Sequence, residues 1–204
     1  MADGFHARPH RPPAVAHRPD IDIGGKPSWE ALLTMVRIRP ASEADIQPIC
    51  DLVNHFADQN LMLHRTPEQV RRALGDFLVA EADGRVIGCG YLAYLGPDLV
   101  ELRSLAVDSA WQGKGVGGEI VDALVALARQ RGLRQICALT LAPHFFERQG
   151  FRVVDRWEIS PKIWSECVYC PKFHACDEIA VLRDLSEDAN DVEKPEVSDQ
   201  KSEV

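Results

Sequence analysis

Apolar and polar positions along the middle of the chain fall into blocks whose period switches between two residues and about 3.6, the spacings of strands and helices. Residues 36–39 (VRIR) alternate as a short strand stopped by Pro40. Ile46, Ile49, Leu52, Val53 and Phe56 recur at helical spacing. Pro48 fits that helix only in its first turn, which favours Asp45 over Ser42 as the cap. Thr66-Pro67 predicts a second helix, with Thr as N-cap and Pro at the first helical position. Segments 77–81 and 85–95 flank Asp83-Gly84, a strong hairpin signal, and 99–107 pairs next. A helix over 116–131 carries Ile120, Val121, Leu124, Leu127 and Ala128 on one side and stops at Gly132. Residues 135–141 read as a strand, 144–149 as a short helix ended by Gly150, and 151–159 as a further strand. The strands begin as a meander and then alternate with helices, which predicts a mixed α/β sheet with one parallel crossover around the third helix.

Composition sharpens the boundaries. Residues 1–28 hold Pro9, Pro12, Pro13, Pro19 and Pro27 among scattered His and Arg, too little apolar surface to offset ordering entropy, and a disordered leader is expected to residue 35. Residues 186–204 carry seven acids against two lysines and are expected to be a solvated tail. The formal net charge of −8 over 204 residues is therefore mostly tail. The remaining body, 36–185, has enough apolar residues for one sizeable core and an almost balanced charge. It lacks the clustered Lys and Arg that phosphate contacts demand, so no nucleic-acid partner is expected. No run of eighteen apolar residues predicts a membrane span, the N-terminus lacks an apolar signal core, and the expected location is the cytoplasm.

The most informative stretch joins the end of the 99–107 strand to the helix at 116 through four glycines: Gln112-Gly113-Lys114-Gly115-Val116-Gly117-Gly118. Glycine lets backbone approach a ligand closely, and the unpaired amides of a helix N-terminus favour anions, so a pyrophosphate fits. A tight structural turn is the competing explanation. The order Q-x-x-G-x-G matches neither a Rossmann fingerprint nor a P-loop. It resembles the pyrophosphate-binding signature of the GCN5-related N-acetyltransferase (GNAT) superfamily. The preceding strand ending in Val107 and the later Phe145-Phe-Glu-Arg-Gln-Gly150-Phe151 fall at that family's spacings.

The resemblance implies a GNAT fold: a mixed, mostly antiparallel sheet with a parallel, splayed strand pair and flanking helices, over a domain spanning 36–185. It implies acetyl-CoA as cosubstrate, its pyrophosphate held by Gln112, Gly113, Lys114, Gly115, Val116, Gly117 and Gly118. A backbone amide near Leu105, Ala106 or Val107 would polarise the thioester oxygen. Lys114 either adds a cation beside the phosphates or faces solvent. Glu101, six residues before Val107, stands where several relatives place a catalytic carboxylate. Free amines are largely protonated at neutral pH, so a base there is useful; a strand carboxylate paired with Arg103 is the other possibility. Many relatives carry a Tyr on the short late helix to protonate the leaving thiolate, but this chain has Phe146.

Leu61-Met-Leu-His-Arg65-Thr-Pro-Glu-Gln, Phe77-Leu-Val-Ala-Glu81, Ile87-Gly-Cys-Gly90 and the strand from Glu101 to Val107 are similar to short bacterial N-acetylglutamate synthases. That likeness implies L-glutamate as the small-molecule partner, the first step of arginine biosynthesis, and a homodimer. A dicarboxylate needs at least two directional cations. The likeness puts Arg65 against the substrate carboxylate; Arg103 shares a strand face with Glu101, and Lys162 is a third candidate. Finally, Cys167, Cys170 and Cys176 form C-x2-C-x5-C with His174 between them. Structural zinc, free buried or redox-active thiols, and a disulfide are all compatible with that spacing, in an appendage over 160–180 on the acceptor side.

Overall fold

The computed structural model describes residues 36–170 and 173–186. The expected leader at 1–35 and the tail from 187 lie outside the described residues. Seven strands, β1 (Arg37–Pro40), β2 (Phe77–Ala82), β3 (Arg85–Tyr94), β4 (Leu99–Val107), β5 (Gln135–Thr140), β6 (Arg152–Val153) and β7 (Ile179–Asp184), form one sheet in the order β1-β2-β3-β4-β5-β7-β6. All neighbours are antiparallel except β4 and β5. The expected α/β sheet with a parallel pair is therefore present. Among the described residues, no helix is long and apolar enough to cross a membrane.

Two helices sandwich the sheet. α1 (Ile46–Ala57) buries Ile46, Ile49, Val53 and Phe56 against Phe77, Val79 and Tyr91 on one face. Its lead-in is a 3-10 turn, Glu43–Asp45, in which Asp45 accepts from the Ser42 amide at 2.7 Å, so Ser42 and Asp45 share the capping role. α2 (Pro67–Arg72) starts at Thr66, whose hydroxyl accepts from the Gln69 amide. α3 (Val116–Gln130) packs Ile120, Val121 and Leu124 onto the opposite face, against Leu78, Ala80, Leu92 and Val100. This contact needs glycine on β3: a Cβ at Gly88 would stand 2.8 Å from Ile120 and one at Gly90 would stand 3.0 Å from Leu124. α4 (Pro143–Glu147) and α5 (Ser160–Ser165) are short.

The chain after Gly150 differs from the expectation. The strand expected over 151–159 is reduced to Arg152–Val153, followed by a 3-10 turn at Arg156–Ile159. The segment read as a cysteine-rich appendage leads into β7, a full strand lying between β5 and β6. Ala180, Val181 and Leu182 are buried there, so sheet pairing and burial on β5 claim them. Phe151, just before β6, packs into the core against Phe146.

Candidate active site

β4 and β5 run together only through Leu99–Gln135, Val100–Ile136 and Glu101–Cys137, and part after Glu101. On its other side β4 is bulged: Cys89 faces Ala106 and Tyr91 faces Arg103, so Ser104 and Leu105 together oppose Gly90. Ser104 takes a left-handed conformation (φ +50°) to make the bulge. The bulge turns this part of β4 away from regular pairing at the point where β5 leaves it.

A cavity of about 440 Å³ opens in that parting, lined among others by Arg65, Glu101, Arg103, Ser104, Lys162 and Glu166. A wider recess of about 900 Å³ lies elsewhere, between α1 and the β2–β3 turn. Its wall is built from Arg39 and Asp45, an ion pair that ties β1 to the start of α1, and it touches none of the expected catalytic residues.

Within the smaller cavity the charges form a closed network. Glu101 is 4% exposed, and its Oε2 accepts from Arg103 Nε at 2.5 Å and lies 3.0 Å from Lys162 Nζ. Glu166 closes the ring, Oε1 accepting from Arg103 Nη2 and Oε2 from Lys162 Nζ, each at 2.6 Å. Burial pulls the Lys162 ammonium down, but the Glu101 and Glu166 carboxylates outweigh it and its pKa rises; Arg103 behaves the same way. Burial likewise pushes the Glu166 carboxyl up, and hydrogen bonds from Lys162 and Arg103 reverse that, leaving it below its ordinary value. Cys137, opposite Glu101 on β5, is pushed up to about 12, chiefly by burial and then by the Glu101 charge. It is therefore held as an unreactive thiol.

Two candidate acceptor cations, Arg103 and Lys162, are thus already paired, Arg103 with Glu101 as the alternative reading had it. Lys162 is buried. The cavity is thereby neutralised on its Arg103 side. Arg65 differs. Asn54 holds its backbone through both amide and carbonyl, and its guanidinium reaches Ser104 Oγ at 3.2 Å and lies over the Tyr91 ring at 5.8 Å. Among the described residues, no carboxylate pairs with it.

At the other end of β4, Asp108 caps a 3-10 turn at Ser109–Trp111, and Gln112 Nε2 donates to the Val107 carbonyl at 2.9 Å, folding the glycine loop back on the strand. Gly115 sits at the head of α3 with φ +89°, and no side chain caps the helix. The amides of Val116, Gly117 and Gly118 therefore lie in the first turn, without the i−4 carbonyl that serves the rest of the helix. This uncapped, glycine-lined start of a fifteen-residue helix fits a pyrophosphate. Lys114 Nζ lies 5.3 Å from the Trp111 ring centre, beside the loop. Phe146 is buried against Phe145 and Phe151 and offers no hydroxyl.

Three cysteines remain. Cys167 and Cys170 line the cavity and Cys176 is exposed; all are free thiols. Among the described residues, no group of three His, Cys, Asp or Glu side chains is arranged to hold a metal, so the expected zinc set of Cys167, Cys170 and Cys176 has no support in the structure. The chain folds 167–169 into a 3-10 turn and carries Cys176 on toward β7 instead.

Known proteins share both the sequence and this architecture. A model of the acetyltransferase (GNAT) domain matches residues 73–153. An uncharacterized N-acetyltransferase of Chlorobaculum tepidum is 36% identical over 148 residues, covering 72% of this chain and 96% of the relative. The chain belongs to the GNAT acetyltransferase family. An amino-acid acetyltransferase of Mycobacterium tuberculosis is 35% identical over 132 residues, 63% of this chain and 75% of that protein. The N-acetylglutamate synthase of Neisseria gonorrhoeae, solved with coenzyme A and N-acetyl-glutamate, aligns with a TM-score of 0.64 at 26% identity, over 74% of this chain and 35% of its own. This GNAT enzyme thus corresponds to about a third of that longer synthase.

Sequence reasoning missed Ser104, whose place depends on a bulge, and Glu166. The second left a faint trace: Lys162 and Glu166 are four apart, the spacing of a helical ion pair.

Proposed function

We propose that this acetyltransferase acts on the α-amine of L-glutamate, forming N-acetyl-L-glutamate in the cytoplasm as the first step of arginine biosynthesis. The observation that carries this reading is Arg65: a guanidinium in the cavity at the strand parting, with no carboxylate partner among the described residues, across from the Arg103–Lys162 pair. A guanidinium with no carboxylate partner among the described residues, and a second place where a carboxylate already bridges two cations, suit an acceptor with two carboxylates. The amino-acid acetyltransferase and N-acetylglutamate synthase likenesses support the same acceptor.

The residues divide the work along β4. The amides from Gly113 to Gly118, with Gln112 bracing the loop and Lys114 beside it, hold the pyrophosphate of acetyl-CoA. The backbone from Leu105 to Val107, past the last pair that β4 makes with β5, polarises the thioester oxygen. Glu101 stands at the vertex of the parting strands, and both cations reach it through Oε2, leaving Oε1 to take the amine proton directly or through water. No phenol stands at Phe146, and a thiol with an ordinary pKa near 8.5 leaves as thiolate without one.

The test is thiol release from acetyl-CoA with each of the twenty amino acids, on wild type and Arg65→Ala. Glutamate should stand out by an order of magnitude. In Arg65→Ala the KM for glutamate should rise at least tenfold, with the KM for acetyl-CoA nearly unchanged. Equal rises in both, or a preference for an amine without carboxylates, would overturn the assignment.

A further inference from the structure

Two carboxylates share the Arg103–Lys162 pair, and they are anchored very differently. Glu101 is on a central strand and its side chain is 6% exposed. Glu166 follows α5 on an irregular turn (φ −138°, ψ −48°), and its side chain is 44% exposed. It nevertheless lines the cavity and bridges both cations, one oxygen on each. A carboxylate approaching two cations from the solvent side, one oxygen apiece, makes the contact that an acceptor carboxylate entering this cavity would make.

We propose that Glu166 is an internal stand-in for the acceptor's carboxylate, displaced when the acceptor binds, and that it thereby sets both the affinity and the selectivity of the acceptor site. The proposal rests on the reading that the acceptor carries carboxylates. Two cations and two anions make the ring neutral. When Glu166 swings out, one positive charge is left uncompensated in a partly buried place, and an incoming carboxylate restores the balance. An amine that brings no carboxylate leaves Glu166 where it is, or leaves a cation bare. Since an acceptor binds only the fraction of molecules whose Glu166 is undocked, its apparent affinity is lowered by that fraction. Arg65, which lines the same cavity and has no carboxylate partner among the described residues, takes the second carboxylate.

The consequence runs opposite to that of an ordinary supporting ion pair. Removing a supporting carboxylate lets Arg103 and Lys162 drift and weakens acceptor binding; removing a competitor strengthens it. Full-length Glu166→Gln and Glu166→Ala should bind dicarboxylates about three- to tenfold more tightly, the range for charge-assisted hydrogen bonds on a half-exposed side chain. Calorimetry of glutarate, a dicarboxylate with no amine, into CoA-saturated protein reads this without turnover. In steady state the KM for glutamate should fall by a similar factor, the KM for acetyl-CoA should stay put, and the advantage of glutamate over glutamine should shrink. Glu166→Asp should return part of the wild-type affinity. Unchanged or weaker glutarate binding in both variants, with melting temperatures close to wild type, overturns the proposal. Failure of the glutamate assignment is read separately: wild type would then acetylate some other amine or none, whatever the variants do.

Discussion

At the scale of single residues the proposed chemistry concentrates on Glu101. Its burial, its position at the last paired step of β4 and β5, and its two cationic neighbours hold its carboxylate in one orientation, as a proton acceptor needs. The base and anchor roles separate in a pH profile. As the base, Glu101→Gln should lose about a hundredfold in kcat and flatten the acid limb of the kcat/KM profile, with KM for glutamate changing little. As a mere anchor for Arg103 and Lys162, the variant would keep kcat and the acid limb while KM rose. Glu101 was singled out through the family resemblance, which works on a local property, its distance along the strand from the glycine loop. Its partners were not all visible. Glu166 lies sixty-three positions from Arg103, and only folding brings the two together.

At the scale of elements, the most legible features were those in which neighbouring residues dictate the backbone. Asp83 (φ +49°) and Gly84 (φ +71°) make the expected hairpin turn, Thr66-Pro67 starts α2, and Val116 starts α3. Gly115 is the sensitive point of the loop, since its φ of +89° is one that side-chain-bearing residues rarely adopt. Gly115→Ala should destabilise the loop by about 1–2 kcal/mol. Its KM for acetyl-CoA should rise about tenfold while the KM for the acceptor hardly moves, which initial-rate kinetics with each substrate varied in turn will show. The strands after Gly150 were least legible. Residues 151–159 have strand-like composition yet find a partner only at Arg152–Val153, whereas 179–184 was hidden behind a cluster of cysteines that suggested metal chemistry. A strand is decided by the edge available to it, and that edge belongs to β5, some forty residues earlier in the chain.

At the scale of the whole molecule, charge is arranged in pairs and rings. Asp45 binds Arg39 through both carboxylate oxygens and caps the turn before α1, while Arg39 also holds Glu81 on β2, so one cluster joins the sheet edge to a helix. The hydrogen bonds from Arg39 chiefly, then from Ser42, overcome burial and hold the Asp45 carboxyl down at about 2, below its ordinary 3.8. A depressed carboxyl stabilises the fold above its unfolded pKa and loses that contribution as pH falls through its folded one. Asp45→Asn should therefore be about 1–2 kcal/mol less stable than wild type at neutral pH, solvent screening at the recess trimming the full value of the shift. The gap should close between about pH 4 and pH 2, as urea melts across that range will show.

The sequence by itself determined what depends on neighbours: the periods of strands and helices, the caps and turns that bound them, the glycine loop at the head of α3, and through that loop the family. Tertiary structure alone decided which carboxylate rests on which cation, where β7 enters the sheet, and that Arg103 and Lys162 are paired while Arg65 has no carboxylate partner among the described residues. The physical reason is range. Backbone conformation is set by sterics and hydrogen bonds within a few residues, whereas an ion pair in a partly buried cavity depends on separations of a few ångströms between groups tens of residues apart, and no pattern along the chain encodes that distance.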